Sequence, residues 1–444
     1  MASAMIFLPG LINAVTISNS QMKVIGVTPD SNTGLNDIFV VYNTSGCIFT
    51  YDKASNGYTV DVKRYNEVSG RFDLDVQGLE PEATKVSFPL TGEDAGYMVQ
   101  DGTTVYYCWI VNYANHTMTL GSIAAAEQQD CGSTLLIHGE AAPIGYYTRY
   151  GMARNLSREI LIEYTTQEFD EGTQSFLEVP AKESIESWTG SAYTYTLGIP
   201  AYCSTIFSIT GDRFQREWNI DIMKESEVVT PVAVDCRTEA IQEESISDDE
   251  ASNVMGGETN GLGGSAPADI SFYAYTTEGV LHYEWQMSHS QNFEVPDYRF
   301  YQRDLDYTFT EEGTFYLRFI GSNADGTCET IGDTYTVTIG ASALEIPNAF
   351  SPNGDGVNDI WKVSYRSLIE FHCEIFNRNG QRIYGFDDPS DGWDGTWHGK
   401  TVKPGVYYYV ITAIGADGQK YKRGGDINIL NATYYSPSSG TPSE

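Results

Sequence analysis

The loop Ser351-Pro352-Asn353-Gly354-Asp355-Gly356-Val357-Asn358-Asp359 sets carboxylate and amide oxygens among glycines. Calcium loops need this pattern, because a hard cation takes several oxygens that only a sharp turn can wrap around it. Asn353, Asp355 and Asp359 fall at loop positions 3, 5 and 9, with Gly356 at 6. Position 1 is Ser351 and position 12 is Lys362, so the bidentate acid is missing. Two readings stand: a calcium site at Asn353, Asp355 and Asp359, or an Asx-type turn that satisfies its own backbone.

Other chemistry is thinly supported. The histidines His116, His138, His282, His289, His372 and His398 show no ligand spacing. HExxH, GxSxG, the P-loop lysine motif and GxGxxG after a strand are all missing. Glu168 with Asp170 and Glu171, and Glu183 with Glu186, read as acids on polar turns. No catalytic residue, cofactor-binding residue or cofactor other than calcium is assigned, and the expectation is a non-enzyme. The alternative is an extracellular hydrolase acting on polysaccharide or peptide. Seven cysteines occur without a CxxC pair. Cys47 with Cys108, and Cys131 with Cys203, are disulfide candidates; buried thiols are the other reading.

These residues sit in a chain of 444 residues with 26 Lys+Arg and 60 Asp+Glu, a formal net charge of −34. Nucleic acid is excluded as a partner on charge, since phosphate neutralisation requires Lys and Arg. Aromatics at 13% and hydrophobics at 41% place the chain outside the disordered acidic class. No apolar run reaches the length of a membrane-spanning helix.

The elements expected to position the residues are strands. Runs such as Ile38–Tyr42, Cys47–Tyr51 and the alternating Thr103, Val105, Tyr107, Trp109, Val111 are β-branched, aromatic and bounded by turn residues. Heptads are nearly absent. The fold class is therefore all-β: tandem Ig-like and PKD-like β-sandwich domains joined by a flexible acidic and Gly-rich linker. The expected boundaries are 18–130 and 131–236 for two sandwiches, 237–268 for the linker, 269–342 for a third sandwich, 343–430 for a fourth and 431–444 for a tail. Residues 1–17 read as a truncated signal peptide or as a first strand; the first basic residue is Lys23. The linker reading rests on Glu239, Glu243, Glu244, Asp248, Asp249 and Glu250, followed by Gly256, Gly257, Gly261, Gly263 and Gly264. In the third sandwich, the Glu312-Gly313 turn, the alternating Thr314–Phe319 strand and the Asn323-Ala324-Asp325-Gly326 turn resemble a PKD or related Ig-like module. Such modules serve as spacers or ligand-binding folds.

Four motifs mark residues 343–430. They are Pro352-Asn353-Gly354-Asp355-Gly356 with Asn358 and Asp359; Asn377-Arg378-Asn379-Gly380; Trp393-Asp394-Gly395; and Pro404-Gly405 with Tyr407. Asn379-Gly380 and Pro404-Gly405 are turn dipeptides feeding strands. In this order the motifs resemble the gliding motility-associated (type B) C-terminal domain of Bacteroidota type IX secretion cargo. The resemblance implies a folded sorting signal, read by the type IX translocon after Sec export, with a PorP/SprF-like outer-membrane partner. It also implies a secreted or cell-surface protein. The N-terminal sandwiches would then be adhesion or ligand-binding modules for a glycan or protein.

Residues 343–430 hold 9 Lys+Arg and 11 Asp+Glu, a net charge of −2, so the rest of the chain carries −32. Lys420, Lys422 and Arg423 lie on or beside one strand. They read as a dock for an acidic partner or as a solvated strand face.

Overall fold

A computed structural model describes residues 15–54, 59–126, 131–242, 253–255 and 261–430. The acidic run 243–252 and the tail 431–444 lie outside the described residues, as do residues 1–14 of the signal-peptide reading. The described chain is almost entirely strand, with one short α-helix, Arg213–Glu217. Among the described residues no helix is long and apolar enough to cross a membrane. Two compact units form: residues 1–168 with 177–233, and residues 169–176 with 234–444.

In the first unit, a four-stranded and a six-stranded sheet make the first sandwich. Alternating positions such as Phe49, Phe88, Tyr97, Val99 and Ile110 close its core. The outermost strand of the smaller sheet is Val15–Ser18, antiparallel to Ile48–Asp52. Residues 15–17 therefore belong to the sandwich rather than to a signal segment.

The boundary expected near 130 also moves. Thr119–Ala125 pairs with Thr134–Glu140, and Ile123 is buried in the second core. Strand pairing decides this where sequence spacing could not. Within this unit the first and second sandwiches share a core in which Phe214 and Trp218 pack with Ile38, Tyr65 and Trp109. Beside it, fully buried Arg158 pairs with Asp212. Asp212 also accepts from the Tyr113 hydroxyl at 2.9 Å and caps the short helix through the Gln215 N–H at 3.0 Å.

In the second unit, the expected linker 237–268 is strand at both ends. Cys236–Gln242 pairs with Ala268–Thr276, so Glu239 and Ala240 are sheet residues. Leu262–Gly264 runs parallel to the end of Glu329–Ile339. A Cβ on Gly263 would stand 2.3 Å from the Thr338 carbonyl oxygen. This glycine permits close strand approach at φ +105° rather than supplying flexibility. The third sandwich therefore begins at Cys236, not at 269, and closes on Trp285, Phe272, Phe319 and Leu317. Gly326 N–H donates to the Asn323 carbonyl at 3.1 Å, making the expected turn.

The C-terminal sandwich is built on one five-stranded sheet. Its order is Ala349–Phe350, Lys420–Ile429, Gly405–Gly415, Leu368–Phe376, Arg382–Phe386. Two short ladders, Ala343–Glu345 with Ser364–Arg366 and Thr396–Trp397 with Lys400–Thr401, accompany it. Trp361, Trp393, Ile375, Ile411 and Ile427 fill its core.

Candidate recognition site in the C-terminal sandwich

The 351–359 loop folds on itself. One Asp359 carboxylate oxygen accepts from the backbone N–H of Asn353 at 2.8 Å and of Gly354 at 2.7 Å; the other accepts from Gly356 at 2.7 Å. The Gly354 and Gly356 bonds hold its carboxyl below the usual carboxylate range. Asp355 accepts from the Val357 N–H at 2.8 Å and the Asn353 side-chain amide at 2.8 Å, while Asn353 accepts from the Asp355 N–H at 3.0 Å. The three candidate calcium ligands thus share one loop, but their oxygens are engaged by N–H donors. These bonds are those of an Asx-type turn that satisfies its own backbone. Among the described residues no cluster of three His, Cys, Asp or Glu could hold a metal.

The remaining motifs are also structural at their centres. Trp393 and Trp361 are completely buried and exchange backbone hydrogen bonds at 2.9 and 3.0 Å. The Trp393 indole donates to the Thr396 carbonyl at 2.9 Å, and Asp394 accepts from the Thr396 N–H at 2.9 Å. Gly395 takes φ +74°, and a Cβ there would meet the Pro352 ring at 2.9 Å. Pro352 and Gly395, 43 positions apart, are thereby locked against each other. Asn377 accepts from the N–H groups of Asn379 and Gln381 at 2.9 and 3.1 Å, with Gly380 at φ +75° completing the turn. Tyr407 packs edge-on against Trp393 and donates to the Lys403 carbonyl at 2.9 Å.

Two of the four motifs, Asn377-Arg378-Asn379 and Pro404-Gly405 with Tyr407, meet at a surface cleft of about 780 Å³. It is lined by the Asn377–Asn379 turn, the Trp397–Thr401 hairpin and Lys403–Tyr407. Arg378, Lys400 and Lys403 line it, no Asp or Glu does, and none of the three cations has an ion-pair partner among the described residues. In a chain of net charge −34, this is a local cationic site.

The cysteine pairs expected from spacing are not formed. Cys47 and Cys108 are both thiols buried in the first core. The Cys47 thiol donates to the Asn43 carbonyl at 3.3 Å, and burial pushes both thiols up in pKa. Cys131 is disulfide-bonded, but Cys203 keeps its thiol, so these two do not join. Glu183 accepts from the Tyr164 and Tyr195 hydroxyls and from the Gly198 and Ile199 N–H groups at 2.7–3.0 Å. Burial raises its pKa, yet these four bonds outweigh it and leave the carboxyl below its usual range. Asp170 accepts from the Thr173 N–H at 2.7 Å in a hairpin turn.

Residues 344–429 match the CHU_C type IX secretion signal domain. The chain carries a type IX export signal. It is cargo of that system, sent to the cell surface or secreted, and its signal engages the type IX machinery. Residues 123–226 match a fibronectin type III domain, in agreement with the second sandwich beginning near 119. No curated protein matches the chain. Among solved structures, the tetra-tandem repeat in the extending region of a large adhesion protein is 11% identical, with 88% of this chain and 97% of that one covered and a TM-score of 0.19. The FN1–FN3 domains of chicken CNTN1 are 10% identical, with 71% and 98% covered and a TM-score of 0.22. At such scores the all-β class rests on the sheets described above.

The sequence motifs led to the loops but not to two of the features that matter most. Trp361 lies outside every motif and is the hydrogen-bonded partner of Trp393. Arg158 and Asp212, 54 positions apart, carried no pairing signal.

Proposed function

We propose that this type IX cargo is a non-enzymatic surface protein whose three upstream sandwiches bind a glycan or protein ligand in adhesion. In this reading the C-terminal sandwich is recognised in its folded form through the cleft at Arg378, Lys400 and Lys403, by the translocon and a PorP/SprF-like outer-membrane partner. One observation carries the recognition half: motifs far apart in sequence close one cleft, and they do so only once the sandwich has formed. The cleft's unpaired cations suit an acidic protein surface. Support for the adhesive half is the architecture itself, rigid sandwiches in tandem with loops at their ends; fold alone is an analogy for function.

The test is export of the full chain against a chain ending at residue 342, in a type IX-competent cell. The full chain is expected outside the outer membrane and the shortened chain in the periplasm. Equal export of both would overturn the reading. A purified full chain that releases product from a polysaccharide or peptide panel would refute the non-enzymatic half.

A further inference from the structure

The solvent-facing side of the C-terminal sheet carries an apolar strip on its middle strand. An antiparallel sheet with one face on a core normally alternates, and a strand apolar on both faces is one covered on both. Gly405–Gly415 is the middle strand of the five. Its inward residues Tyr407, Tyr409, Ile411 and Ala413 join the core. Its outward residues Val406, Tyr408 and Val410 are 44, 47 and 42% exposed. Register extends the strip sideways: Tyr408 lies opposite Phe376 on one neighbour, and Val410 lies opposite Gly424 on the other. Gly424 has no side chain to cover Val410, so the strip is open along that edge.

Its charged border is asymmetric. Glu374, opposite Val410, is already paired with Arg382 at 3.2 Å, and Asp426, opposite Tyr408, accepts from the Asn428 amide at 2.8 Å. Lys422 and Lys420 stand opposite Thr412 and Ile414 at the far end, with no ion-pair partner among the described residues; Glu370, also opposite Ile414, is the acid there. At the near end Val406 and Tyr407 run into the cationic cleft.

We propose that Val406, Tyr408, Val410 and Phe376 form a docking face for a protein of the type IX machinery. That protein would present an apolar patch whose carboxylates reach the cleft at Arg378, Lys400 and Lys403. Charge complementarity selects this occupant: unpaired cations bracket the strip, Arg378, Lys400 and Lys403 at one end and Lys420 and Lys422 at the other. An apolar centre with a charged rim is the usual arrangement of an interface. The inference rests on the export reading and specifies which surface performs it.

Two variants of the full chain test it by the fraction exported. The first is Val406→Thr with Tyr408→Thr and Val410→Thr, which keeps strand-forming residues at outward positions. The second is Arg378→Glu with Lys400→Glu and Lys403→Glu. Each is expected to lower the exported fraction by about tenfold or more, the loss set by removing interface residues of hot-spot weight. The purified chains should melt as the parent does. Parental export of either variant overturns the docking face while leaving the export reading intact. That reading fails separately if a chain ending at 342 is exported. Sedimentation of the full chain as a dimer that the threonine variant dissolves would assign the strip to a second copy and also overturn the proposal.

Discussion

At the residue scale, Asp359 shows how one carboxylate can satisfy the backbone of its own loop. Its carboxylate receives three N–H donors, from Asn353, Gly354 and Gly356, none of which has a strand partner to turn to. Asp359→Ala is therefore expected to lower the thermal midpoint at neutral pH, while a chelator leaves the parent's midpoint unchanged. The pH dependence has a definite sign. The folded pKa is depressed, so the contribution is present above the unfolded carboxylate value of about 4 and is lost as pH falls through the folded value. The gap between parent and variant should accordingly close on acidification, as melting curves across an acid series would show. An unchanged gap would mean that the loop is held by something other than charge. Trp393 and Gly395 act by shape: one fills the core, and the other allows the Pro352 ring to approach.

At the scale of elements, the joint between the first two sandwiches rests on a buried pair. The Arg158 guanidinium reaches Asp212 and the carbonyls of Ala142 and His116. Asp212 in turn starts the helix that carries Phe214 and Trp218 into the shared core. Removing one member of such a pair leaves a charge without water or a partner, so Arg158→Ala is expected to cost about 3–5 kcal/mol. Replacing both with apolar residues (Arg158→Met with Asp212→Leu) removes the unpaired charge but also the helix cap and the acceptor of the Tyr113 hydroxyl, so it should recover only part of that cost. Chemical denaturation of the single and double variants checks this. A near-neutral Arg158→Ala would show that the joint is held by the aromatic core alone.

At the scale of the whole molecule, charge is segregated. The C-terminal sandwich is close to neutral, and the remainder carries a net −32. Self-repulsion of that magnitude weakens a compact state at low ionic strength and is screened as salt rises. The melting midpoint should therefore climb as salt is raised from about 10 mM to about 150 mM, where the Debye length has fallen from about 30 to 8 Å. Scanning calorimetry over that range is the check, and a flat response would place the acids too far apart to repel.

By itself the sequence determined the class and the address. Strand runs with period two, turn dipeptides such as Asn379-Gly380 and Pro404-Gly405, and four ordered motifs are local, so they survive without knowledge of the fold. It misled where local composition competes with pairing. Gly263 and Glu239 read as linker, but their backbones find sheet partners in Thr338 and Tyr273. Cys47 and Cys108 read as a bridge from spacing alone, which says nothing of how two side chains are aimed. The apolar run Val406–Val410 was visible, yet which of its members faces water is set by strand register. Only the tertiary structure could bring Arg378, Lys400 and Lys403 to one cleft, or Arg158 to Asp212. Long-range electrostatics and packing leave no periodic trace along a chain.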